Sequence, residues 1–145
     1  MMQNILVVCV GNICRSPIAE AMLAREFPEK KVWSAGLGAL VGDPADPFSV
    51  EVAAANGLDL SKHRAQQVAS WMCESADVIF VMEQAHRTEI EQRYPLVRGR
   101  VFRMGEPQRL DIADPHRQPK AAFEAAFADI ARGVASWVPR IRQLG

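Results

Sequence analysis

The stretch Cys9-Val10-Gly11-Asn12-Ile13-Cys14-Arg15-Ser16-Pro17 gathers the residue types that covalent chemistry on an anion requires. It follows the apolar run Ile5–Val8 and precedes a segment of helical spacing, so it reads as a strand-to-helix turn. Successive backbone N–H groups of such a turn can converge on an anion, and the dipole of the following helix adds positive potential. Gly11 and Asn12 both tolerate the positive φ expected of a tight concave loop. Arg15 ends the loop with a planar fork matched to two phosphate oxygens. Cys9 opens it, where the amides, Arg15 and the Ser16 hydroxyl would favour a thiolate. A thiolate beneath a bound phosphate is a nucleophile aimed at phosphorus. A merely structural strand-end cysteine with a capping Ser-Pro would leave Arg15 at this spacing to chance.

A proton donor for the leaving group is harder to choose. Asp-Pro occurs at Asp43-Pro44, Asp46-Pro47 and Asp114-Pro115, each in a loop. Proline biases the preceding aspartate toward an extended backbone, which helps to project a carboxyl group. The pair is also a common turn signal, so spacing alone leaves three candidates. His63, His86 and His116 are scattered, and Cys9-x4-Cys14 lacks a matching second ligand pair. No zinc site, metal or cofactor is expected from this pattern.

The elements that must position these residues alternate along the chain. Ile5–Val8 and Asp77–Met82 carry continuous apolar runs, the pattern of strands buried on both faces, and Val32–Ala35 and Val101–Met104 read as two shorter strands. Between them lie helical segments from Ser16 to Phe27, from Pro47 to Asn56 with Gly57 as a C-terminal cap, and from Gln84 to Tyr94, stopped by Pro95. Ser70–Ala76 is only weakly helical by pattern. Phe123, Phe127, Ile130, Val134, Trp137 and Ile141 mark one face of a long last helix, with Pro139 predicting a kink near its end. Alternating strands and helices imply an α/β fold: a single domain over residues 1–145, with an open four-stranded parallel sheet and helices on both faces. Ligands bind at the carboxyl ends of such strands. That rim collects Cys9–Ser16, the loop from Leu37 to Pro47, the Glu83 region and the loop from Gly105 to Pro119.

The composition excludes several classes. Among 145 residues, 17 Lys and Arg balance 17 Asp and Glu, which argues against a nucleic-acid binder. The early apolar run is too short to span a bilayer and lacks the flanks of a signal peptide. Three cysteines suit a reducing cytoplasm better than a disulfide scaffold. Arg98, Arg100 and Arg103 read as a solvated face, and Trp33, Trp71 and Trp137 as packing residues.

The signature loop resembles that of the low-molecular-weight protein tyrosine phosphatases, and the similarity extends to Ser34-Ala35-Gly36 and Asp114-Pro115. Leu37-Gly38-Ala39-Leu40-Val41-Gly42 resembles the bacterial branch that acts on tyrosine autokinases of exopolysaccharide and capsule export. The resemblance implies Cys9 as nucleophile, Arg15 as phosphate clamp, Ser16 as a hydrogen bond to the thiolate and Asn12 as loop support with Ser34 behind it. It implies Asp114 as the general acid. Val10, Gly11, Asn12, Ile13, Cys14 and Ser16 are then expected around the phosphate, with Leu40 and His116 at the mouth. The family's habit, together with the five-residue spacing, also suggests a redox role for Cys14 beside Cys9.

Two positions depart from the family pattern. His116 and Arg117 stand where aromatic residues usually follow the Asp-Pro pair, which alters the wall flanking the substrate ring. Gln66 stands where the family carries an arginine, preceded by His63-Arg64-Ala65, and His63 reads as structural. The implied activity is hydrolysis of phosphotyrosine on a protein through a cysteinyl-phosphate, in the cytoplasm. Its rivals are an arsenate reductase on the same fold and a silent phosphopeptide-binding module.

Overall fold

The computed structural model describes residues 2–145. Strands β1 (Asn4–Cys9), β2 (Lys31–Gly36), β3 (Val78–Val81) and β4 (Val101–Arg103) form one parallel sheet in the order β2-β1-β3-β4. Among the described residues, five α-helices cover it: α1 (Arg15–Glu26), α2 (Pro47–Ala55), α3 (Ser70–Ser75), α4 (Gln84–Arg93) and α5 (Lys120–Gln143). Because strand side chains alternate, Ile5, Val7, Val78 and Phe80 pack with Ile18, Leu23, Ile130 and Trp137 of α1 and α5. Leu6, Val8, Ile79 and Val81 face the other way, onto Met72, Cys73 and Ile90 of α3 and α4. Each large apolar side chain fully removed from water contributes about 1.5–3 kcal/mol. The continuous apolar runs thus form central strands buried on both faces.

The four strands and the helices on both faces match the expectation, and the differences are local. Ser70–Ser75 forms a regular helix because Met72 and Cys73 are buried against the sheet, a tertiary gain that outweighs weak propensity. Helix α5 continues through Pro139 to Gln143. Pro139 and Ala135, whose carbonyl loses its partner, are both exposed, so water can replace the missing hydrogen bond. The solvated arginine face holds for Arg98 alone: Arg100 donates to the Ala76 carbonyl at 2.6 Å, and Arg103 pairs with Glu106 and Asp111. Trp33 and Trp137 are core residues, while Trp71 is exposed.

Chain order reverses around β1, with β2 on one side and β3 on the other. The crevice at its carboxyl end is therefore a topological switch point. Gly36 closes β2 directly beneath the loop that leaves β1. A Cβ there would stand 2.4 Å from the Val10 carbonyl oxygen, so only glycine allows this approach.

Candidate active site

The loop from Cys9 to Cys14 turns every one of its carbonyls outward. Cys9, Val10 and Gly11 accept from the amides of Leu37, Gly38 and Leu40, and Ile13 accepts from Asp46. The Asn12 carbonyl accepts from His63 Nε2 at 2.6 Å, and that of Cys14 from the Ser49 hydroxyl at 3.1 Å. Among the described residues, no backbone N–H from Val10 to Arg15 donates to another protein group. Six amides are thereby free to face one centre, which is the backbone arrangement an oxyanion needs. Of the two positions expected at positive φ, only Asn12 adopts it, at 60°. Gly11 bends the loop without leaving the ordinary region. His63, which donates through Nε2 to a carbonyl, is structural.

A buried chain of side-chain hydrogen bonds braces the loop from below. The Asn12 side-chain oxygen accepts from the Gln66 backbone N–H at 2.9 Å, which fixes the amide's orientation. Its Nδ2 then donates to Ser16 Oγ at 2.8 Å and Ser34 Oγ at 2.9 Å, and Ser34 donates to Glu20 Oε1. Because Ser16 Oγ already accepts from Asn12, its own proton is free to point at Cys9 Sγ, 2.9 Å away. Ser16 lies in the first turn of α1 and serves the sulfur rather than capping the helix. Gln66 keeps a role at this position by also donating from Nε2 to the Ser34 carbonyl.

Arg15 is only 2% exposed, and a buried guanidinium requires pairing. Its Nη1 donates to Glu83 Oε2 at 2.6 Å and to the Ile112 carbonyl at 2.7 Å. Its Nη2 lies 3.8 Å from Asp114 Oδ2. His86 Nε2 stands 3.5 Å from the same Glu83 oxygen, and burial together with the Arg15 charge lowers its pKa below the usual 6.5. The sequence reading placed the Glu83 region on this rim but gave neither Glu83 nor His86 a role. The available signal was the position of Glu83 just past the apolar run of β3, on the rim where ligands bind.

A cavity of about 180 Å³ opens above the loop. Cys9, Val10, Gly11, Ile13, Cys14 and Arg15 form its floor, and Gly38, Leu40, Asp114 and His116 its wall. Asn12 and Ser16 lie beneath this floor as supports. Among the three Asp-Pro carboxylates, Asp114 is the one on the wall, whereas Asp46 caps α2 through the Phe48 N–H at 2.9 Å. Asp114 Oδ1 accepts from the His116 N–H at 3.0 Å, which holds these two wall residues in one tight turn. Cys14 is buried, and that burial, aided by Asp46, Asp114 and Cys9, pushes its thiol up to about 12. Cys73 lies in the α3 layer on the opposite face, its thiol pushed up to about 11 by burial.

A thiol below a run of unpaired amides, a buried arginine and a carboxyl on the facing wall are the parts that phosphoryl transfer to a cysteine would require. Residues 4–144 match the family described as low molecular weight phosphotyrosine protein phosphatase, and the chain belongs to that family. It is 54% identical, over the full length of both chains, to the probable low molecular weight protein-tyrosine-phosphatase EpsP of Ralstonia nicotianae. Identity to the low molecular weight protein-tyrosine-phosphatase Wzb of Escherichia coli K12 is 45%, over 94% of each chain. Vibrio vulnificus Wzb in complex with benzylphosphonate superposes with a TM-score of 0.93 at 41% identity, covering 97% of this chain and 99% of that one. The protein is thus a low molecular weight protein-tyrosine phosphatase. Among the described residues, no helix is long and apolar enough to cross a membrane.

Proposed function

We propose that the enzyme cleaves phosphotyrosine in two steps through a phosphate ester of Cys9. The Cys9 thiolate attacks phosphorus in line, and the S–P bond forms as the bond to the tyrosyl oxygen breaks. The amides of Val10–Arg15 and the Arg15 guanidinium hold the three equatorial oxygens, and the Ser16 hydroxyl steadies the sulfur. Asp114 protonates the departing phenolate, then as a carboxylate takes a proton from the water that breaks the S–P bond. Inorganic phosphate leaves, and Cys9 returns as thiolate. Leu40 and His116 flank the substrate ring. The observation that supports this reading most is the loop's outward turn of all six carbonyls from Cys9 to Cys14, which leaves its amides to the cavity.

We further infer a substrate among tyrosine autokinases of exopolysaccharide export, in the cytoplasm. The Leu37–Gly42 resemblance supports this, as does the 54% identity to EpsP. Cys14 is assigned a redox role: peroxide oxidises Cys9 to the sulfenic acid and is itself reduced to water, and condensation with the Cys14 thiol would then form a disulfide and release a second water. Burial of Cys14 slows that step. An arsenate reductase would relay oxidation through a further cysteine, but Cys73 is packed in the opposite layer. A silent binding module would not need Asp114 on the cavity wall.

The test is hydrolysis of phosphotyrosyl peptides, and of a phosphorylated autokinase, by wild type and Cys9→Ser in chelator. Wild type should turn over without metal, while Cys9→Ser should lose turnover and still bind phosphate. Retained turnover in Cys9→Ser would remove Cys9 from the mechanism.

A further inference from the structure

We propose that Cys14, Asp46 and His116 form a binding site for a single zinc ion at the mouth of the phosphate cavity, and that filling it inhibits the enzyme. The three residues come from separate segments: the N-cap of α1, the N-cap of α2 and the loop that carries Asp114. Their ligand atoms all lie within 4.8 Å of one another. His116 Nδ1 stands 3.9 Å from Cys14 Sγ and 3.9 Å from Asp46 Oδ2. The second distance is too long for a hydrogen bond, so imidazole and carboxylate face each other without one. Around a tetrahedral ion with bonds of about 2.0–2.3 Å, ligand atoms stand roughly 3.3–3.7 Å apart. Closing the triad takes a few tenths of an ångström at the two His116 pairs and a larger inward turn of Cys14 and Asp46 from within 4.8 Å.

Each residue is held so that one donor atom is left for the ion. Asp46 Oδ1 caps α2, which leaves Oδ2 toward His116. The His116 backbone is fixed by Asp114, and the Cys14 carbonyl by Ser49. One thiolate, one imidazole and one carboxylate suit zinc over the hard cations, with a fourth position open to water on the solvent side. Binding displaces the Cys14 proton to solvent and needs no other reactant. The carboxylates that oppose ionisation of Cys14 in the free protein would stabilise the metal-bound form.

Cys14 and His116 both line the cavity, so a hydrated ion between them takes the room of the substrate's aryl group. The inhibition rests on the catalytic reading above, but the binding does not. Hence binding is measured in the inactive Cys9→Ser protein, by competition with a chromophoric chelator for zinc and by the spectrum of the cobalt(II) form. One ion should bind per chain, and the thiolate-to-cobalt charge-transfer band should persist in Cys9→Ser and vanish when Cys14→Ser is added. Asp46→Asn keeps a capping side chain, and it and His116→Phe should each weaken zinc binding on the order of 10–100-fold. Zinc inhibition of the active protein should be reversed by chelator and weakened to the same degree by Asp46→Asn. Unchanged zinc affinity in both Asp46→Asn and His116→Phe would overturn the site. A cobalt band that disappears with Cys9→Ser alone would also overturn it, by placing the metal on the catalytic sulfur. Absence of turnover in metal-free wild type would instead count against the phosphatase reading, which keeps the two failures distinct.

Discussion

Asn12, Arg15 and Ser16 in the loop after β1 are at most 2% exposed; Asn12 and Ser16 have their side-chain polar atoms engaged, and Arg15 is anchored through Nη1. Across the cavity, Leu40 is 45% exposed, the Asp114 side chain 47% and that of His116 37%. The loop is a buried polar network, in which a group left without its partner costs about 1–3 kcal/mol. The wall is a set of exposed side chains on loops, where a substitution usually changes stability by no more than about 0.5 kcal/mol. The residues assigned to chemistry are thus tied to folding, while those proposed to flank the substrate can change almost freely. His116 illustrates this, standing in place of an aromatic residue on the wall while the loop beneath keeps the family's pattern.

Three substitutions probe that division. Asp114 is the exception on the wall, an exposed residue assigned to chemistry. Asp114→Asn retains an oxygen for the His116 N–H yet cannot donate a proton, so turnover of phenolic substrates should fall on the order of 10²–10⁴-fold. The loss should shrink for leaving groups that depart without a proton, such as p-nitrophenolate. Equal losses across leaving groups of different pKa would make Asp114 structural, and Asp43→Asn, away from the cavity, should show no such dependence.

Asn12→Ala addresses the buried side of the comparison. It strands Ser34, Ser16 and the Gln66 amide and places a Cβ-bearing residue without a local hydrogen bond at φ 60°. Unfolding in urea should show a loss of roughly 2–4 kcal/mol. Asn12→Gly should recover only about 1 kcal/mol of it, the backbone share. A loss below about 0.5 kcal/mol in Asn12→Ala would mean that the network does not brace the loop.

His116→Tyr should have the smallest effect. Stability should stay within about 0.5 kcal/mol of wild type. With chelator present, an added aromatic contact of about 0.5–1.5 kcal/mol should improve kcat/KM for phosphotyrosyl peptides relative to small aryl phosphates by roughly 2–12-fold. An unchanged ratio would take His116 off the substrate's path.

Much of this arrangement was readable from the chain. The apolar runs at Ile5–Val8 and Asp77–Met82 announced buried parallel strands, because a strand covered on both faces needs no polar alternation. Cys9, Arg15 and Ser16 were readable because they belong to one short turn, whose local geometry follows from residue type and spacing. Ser70–Ser75 was underestimated, since only the sheet beneath Met72 and Cys73 makes that segment helical. The paired state of Arg103 was missed for the same reason, its partners Glu106 and Asp111 lying in a loop without periodicity.

Residues close in sequence therefore carried the strand order of events: an apolar strand, an anion-facing turn, and a helix whose dipole points into it. Which distant residues meet that turn was decided by packing. Arg15 is neutralised by Glu83 across the switch point, Asn12 is oriented by Gln66 and Ser34, and Cys14 faces Asp46 and His116. Such partners are chosen by proximity after the sheet has closed, because a buried charge or amide must find whichever polar group the packed helices bring to it. Spacing along the chain encodes the period of a strand or a helix, and it holds no record of which loops will share a rim.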